Sequence, residues 1–113
     1  NDYETTFRVV TEAIDRYPRL RGIYMANLSV SGCAAAIEQA GKKGAIRLIC
    51  HDLNESVRQL LLRGSIDFTI PQNLRQQGYG PLILLRDVLR RKAVPDAARF
   101  NRQIDIVCSD NLP

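Results

Sequence analysis

Apolar residues recur along this chain in two alternating rhythms, one of period near 3.6 and one of short continuous runs. From about Asp2 to Tyr17, the residues Phe7, Val10, Ile14 and Tyr17 fall at helical spacing with polar residues between them. Pro18 ends that helix, because the residue before a proline is pushed out of helical dihedrals. Gly22 opens a short apolar run, Ile23 to Ala26, that breaks off at Asn27. Ser29 and Ser31 are candidate N-caps for a second helix, which runs to Ala40 with Val30, Ala34 and Ile37 as its apolar stripe and Gly41 as its stop.

The plan then repeats. Ile46 to Cys50 reads as a buried strand whose only charged member is Arg47, and it gives way to His51 and Asp52. Asn54 caps a third helix with Val57, Leu60 and Leu61 inward, and Gly64 closes it. Ile66 to Ile70 is a third strand, ending at Pro71 and Gln72. Strands recurring at about 22-residue intervals with helices between them predict βαβ units and a parallel sheet.

Beyond Gln72 the rhythm changes. Asn73 to Arg91 is a longer helical pattern with Gly78, Leu82, Leu85 and Leu89 on one face, and Pro81 should bend it or delay its start. A polar stretch, Lys92 to Arg102, leads to a predicted last strand, Ile104 to Cys108.

Composition narrows this picture. With 113 residues, 45% hydrophobic and 25% charged, the chain has the size and balance of one globular domain. No apolar stretch approaches the roughly 20 residues of a membrane span, and the first residues lack a signal-peptide pattern. The chain starts without Met and already inside a helical pattern, so it reads as a fragment. The net charge of +4 is modest. The dense patch Arg86, Arg90, Arg91 and Lys92 reads as cations near a helix C-terminus rather than as a nucleic-acid contact. Three cysteines, Cys33, Cys50 and Cys108, sit in apolar or small-residue company without C-x-x-C spacing, which points to buried free thiols and a reducing cytoplasm. With one histidine in the chain, no zinc site is expected.

In an open parallel sheet, ligands bind outside the carboxyl ends of the strands. Those ends carry Asn27, Asp52 and Gln72, two amides and a carboxylate that together donate and accept as a sugar-like ligand requires. One carboxylate with two amides makes a poor metal cage. Asn27 and Asp52 could equally cap the helices that follow them, and Gln72 could satisfy backbone near Pro71, so pattern alone leaves both readings open. Cys50 and His51 are neighbours in a strand and point to opposite faces, which removes a paired nucleophile and base. No glycine-rich phosphate loop follows any strand, and GKKG at residues 41–44 reads as a turn, so no nucleotide or other cofactor is expected.

The stretches GIYMANLSVSGCAAAIEQAGKK, IRLICHDLNE and LLRGSIDFTIPQNLRQQGY, followed by a closing SDNL, resemble the C-terminal part of the effector-binding domain of lactose-repressor-family transcription regulators. The resemblance implies a type 1 periplasmic-binding-protein fold, a three-layer α/β/α lobe with a mainly parallel sheet. Residues 1–71 and 103–113 would form the C-terminal lobe, and 72–102 the segment that in relatives packs on the other lobe. It further implies a cytoplasmic, dimeric repressor that binds a sugar or related effector in a cleft and acts on operator DNA through a separate helix-turn-helix. Asn27 matches the asparagine of the family's A-N-D motif, Asp52 the aspartate after the central strand, and Gln72 the glutamine at the lobe crossing. Leu28 and Cys50 depart from the family's usual aspartate and glycine, and Pro81 interrupts a helix that relatives keep continuous. The apolar face of 78–89 should then fold back on this lobe or pack on a second copy. A sugar-binding protein of a transporter is the alternative on the same fold, and an enzyme using Asp52 the third reading.

Overall fold

The computed structural model describes residues 2–27, 29–91 and 104–113. The polar stretch Lys92 to Arg102 and the departure at Leu28 therefore lie outside the described residues. Two units separate, one of residues 1–71 with 105–113 and one of residues 72–104.

In the first unit, helix α1 (Tyr3–Arg16) starts where Asp2 accepts from the Thr5 backbone N–H at 3.0 Å and the Thr5 hydroxyl at 2.6 Å. It leads into strand β1 (Gly22–Met25), helix α2 (Val30–Gln39), strand β2 (Arg47–His51), helix α3 (Glu55–Leu62) and strand β3 (Phe68–Ile70). The strands form a parallel sheet in the order β1-β2-β3, with Met25 opposite Cys50 and Cys50 opposite Thr69. The expected α/β architecture with a parallel sheet is thus present.

Glycine closes the helices as anticipated. Gly64 takes φ 70°, which an L side chain rarely adopts, and lets the Ser65 N–H reach back to the Leu60 carbonyl at 2.8 Å. Gly32 does a different job. A Cβ there would stand 2.7 Å from the Tyr3 carbonyl oxygen, so the close approach of α2 to α1 admits no side chain at that position.

Side chains alternate across the sheet, so one face carries Ile23, Met25, Leu48, Cys50 and Thr69 and the other Tyr24, Ile49, His51, Phe68 and Ile70. The first face builds the core. Leu48 and Cys50 are fully buried and cluster with Val10 and Ile14 of α1, Cys33, Ala34 and Ile37 of α2, and Val57, Leu60 and Leu61 of α3. None of the second set belongs to that cluster, and Tyr24 is 56% exposed.

Two strand expectations change. Ile66 is buried but precedes β3, because the Asp67 carboxylate takes the Leu48 N–H at 2.8 Å and the Arg47 guanidinium at 2.7 Å, interposing a side chain where a longer ladder was expected. The predicted strand from Ile104 to Cys108 reduces to one antiparallel bridge, Val107 to Thr69, with N···O distances of 3.0 and 2.8 Å. Burial there falls on Val107, while Ile104 and Ile106 remain exposed, out of phase with the expected apolar face.

In the second unit, helix α4 (Leu74–Arg91) contains Pro81 and begins seven residues before it, so the proline does not delay the start. It leaves the Gln77 carbonyl without its usual helical N–H donor. Tyr79, Leu82, Leu85 and Leu89 are all exposed. The expected burial of this face is therefore not supplied by the described residues of the chain. Among those residues no helix is long and apolar enough to cross a membrane.

Candidate functional site

The parallel register places Asn27 and Asp52 at equivalent points, since each comes two residues after the paired Met25 and Cys50. Both thus lie at the carboxyl ends of adjacent strands, about 4.8 Å apart in a parallel sheet. Gln72 opens the second unit, exposed, with its backbone carbonyl accepting from the Leu74 N–H at 3.0 Å.

The helix-capping alternative fares differently at each position. Asn27 Oδ1 accepts from the Ser29 N–H at 3.1 Å, so this side chain does organise the approach to α2, where Ser29 itself makes no side-chain cap. That bond occupies one lone pair of the oxygen, and among the described residues the Nδ2 amide has no acceptor. At α3 the capping residue is Asn54, whose Oδ1 takes the Val57 N–H at 2.9 Å. The Asp52 carboxylate is not needed there, and among the described residues it has no hydrogen-bond donor. It is half-buried, and its oxygens are open to a donor from outside the chain.

The backbone of Asp52 is unusual as well. It sits at φ 67°, the one described non-glycine residue in the left-handed region. Its N–H donates to the Ile70 carbonyl at 3.1 Å and its own carbonyl accepts from the Thr69 hydroxyl at 2.5 Å. Strain of this kind gathers at ligand clamps when the surroundings over-determine it. Sequence pattern does not single out Thr69, because an inward threonine reads there as an ordinary strand residue.

Beside the site, Tyr24 Oη and His51 Nε2 are hydrogen-bonded across β1 and β2, with the rings edge to face at 5.4 Å. His51 Nδ1 is buried with no partner among the described residues. Cys50 points the other way, into the core, as strand geometry required. Burial pushes its thiol up, and the neighbouring Asp52 charge adds to that. Burial likewise raises Cys33, to about 12. Neither is an activated nucleophile at neutral pH. Among the described residues no group of three or more His, Cys, Asp or Glu side chains could hold a metal ion.

The parallel α/β unit thus carries at adjacent strand ends a carboxylate and an amide that, among the described residues, have a side-chain oxygen or nitrogen left without a protein partner. The family model described as "Periplasmic binding protein domain" matches residues 1–93, and the chain belongs to that family. It is 30% identical over 89 residues, 77% of the chain, to the D-allose-binding periplasmic protein of Escherichia coli (strain K12), of which it spans 29%. Its fold is shared with a glucose-galactose binding protein from Geobacillus stearothermophilus, at TM-score 0.83 and 19% identity over 99% of this chain and 40% of that one. An ABC transporter periplasmic solute binding protein from Actinobacillus succinogenes, solved with bound D-allose, matches at TM-score 0.78 and 18% identity over 96% of this chain and 38% of that one.

These relatives correct the functional expectation. The type 1 periplasmic-binding-protein fold stands, but these similar proteins are sugar- or solute-binding proteins, two of them periplasmic and one of an ABC transporter, so the repressor, its dimer, its operator DNA and its cytoplasmic location are not supported. The cysteine argument for a reducing compartment also fails. Cys33 and Cys50 are fully buried, which shields a thiol in any compartment, and Cys108 is half-buried rather than buried as expected.

Proposed function

We propose that this chain is part of an extracytoplasmic sugar-binding protein that delivers its ligand to a membrane transporter, and that it is not an enzyme. Asn27, Asp52 and Gln72 hydrogen-bond the sugar, the two amides donating to its oxygens and the carboxylate accepting from its hydroxyls. The observation that carries this reading is the Asp52 carboxylate, held at a strand end in the left-handed conformation with no donor among the described residues, in a chain of this family. Residues 1–71 and 103–113 belong to the C-terminal lobe, and the segment 72–102 serves the second lobe, a division that the exposed apolar face of α4 favours.

Calorimetric titration of the intact protein with D-allose, D-glucose, D-galactose, D-fucose and arabinose tests the proposal. Saturable binding of at least one sugar is expected, with one site per protein. Absence of heat and of a thermal shift with all five would overturn the sugar assignment.

A further inference from the structure

We infer that Thr69 is the positioning residue of the ligand site: its buried hydroxyl holds Asp52 in the left-handed conformation that presents the carboxylate. This rests on the ligand role proposed for Asp52.

Thr69 is fully buried, and its Oγ1 lies 2.5 Å from the Asp52 carbonyl oxygen and 3.2 Å from that of Cys50. A hydroxyl has one proton to give, and the shorter contact directs it to Asp52. The regular ladder between β2 and β3 ends at the His51–Ile70 pair, so beyond it the Asp52 carbonyl would have no strand partner. With the Asp52 N–H on the Ile70 carbonyl, the hydroxyl completes a two-point tie to β3. Aspartate visits the left-handed region only as a single residue held by local hydrogen bonds, so the tie selects this conformation, and releasing either end would let the chain relax toward extended dihedrals. Relaxation would swing the Cα–Cβ bond and carry the carboxylate off its line.

Thr69 is itself anchored from the other side. Its N–H and carbonyl both pair with Val107, so the returning C-terminal segment fixes the residue that fixes Asp52. The side chain has no access to a ligand, being enclosed in the core, and any effect on binding must pass through Asp52.

Thr69→Val keeps the shape and the strand preference but removes the hydroxyl. Titrated with D-allose and the other four sugars, the intact Thr69→Val protein should bind about 10-fold or more weakly, and Thr69→Ser should restore affinity to within about 3-fold of the original. Combined with Asp52→Asn, Thr69→Val should add less than about 2-fold, because both changes act on one group. A crystal structure of Thr69→Val provides a readout independent of any ligand, with Asp52 leaving positive φ. Lowered stability with unchanged affinity, a fully additive loss on top of Asp52→Asn, or an Asp52 that stays at positive φ would overturn the inference. If no sugar binds the original protein, the proposed function falls, and the Asp52 conformation in Thr69→Val still decides whether the hydroxyl holds it.

Discussion

Asp52→Asn in the intact protein is expected to weaken sugar binding by about 10- to 100-fold while leaving the fold intact. The carboxylate accepts only, and each hydrogen bond to a charged group contributes about 1.5–3 kcal/mol, where 1.4 kcal/mol is a factor of ten. Asparagine replaces one acceptor oxygen with a donor amide, which meets a sugar hydroxyl in the wrong sense unless that hydroxyl turns. The backbone should not notice. Asparagine tolerates the left-handed conformation that Asp52 adopts at φ 67°, and the bonds to the Ile70 carbonyl and the Thr69 hydroxyl use only the main-chain N–H and carbonyl of residue 52. Calorimetry for affinity and a circular-dichroism melt for stability separate the two effects. An unchanged affinity would remove Asp52 from the site.

The largest stability effect is expected at Leu48. This side chain is fully enclosed at the centre of the sheet, facing all three helices of the first unit, and its N–H is held by the Asp67 carboxylate. Leu48→Ala should cost about 2–5 kcal/mol, the lost transfer energy plus that of the cavity left behind. That is a large share of the roughly 5–15 kcal/mol that stabilises a typical domain. A denaturant titration of the intact protein followed by circular dichroism gives the value, and a loss below about 1 kcal/mol would mean that the core does not close around this residue as described.

Much of this architecture is legible in the residues. Most of the helical stripes, the Asn54 cap and the glycine stops at Gly41 and Gly64 are local features that the structure has where periodicity and capping chemistry put them, while Tyr17 lies exposed past the end of its helix and neither Ser29 nor Ser31 caps α2 with its side chain. The place of Asn27 and Asp52 at the strand ends is legible too, because the βαβ pattern fixes where each strand stops before any side chain is placed. What the pattern misses is set by distant partners. Asp67 shortens β3 by reaching Arg47 and Leu48, Val107 rather than Ile106 is buried because of where Thr69 sits, and the hydroxyl of Thr69 matters only because the Asp52 carbonyl lies against it. The step from fold to role failed for another reason. A repressor's effector lobe and a transporter's binding lobe solve the same problem of holding a small polar ligand at strand ends, and the residues that do so carry no record of what the ligand is for.

The most direct test of the central claim is a crystal structure of the intact protein with a sugar that binds it. The account predicts sugar hydroxyls within hydrogen-bond distance of the Asp52 carboxylate, with the Asn27 Nδ2 amide donating to a sugar oxygen and Gln72 contributing a third contact. A sugar bound with Asp52 still unpartnered would contradict it.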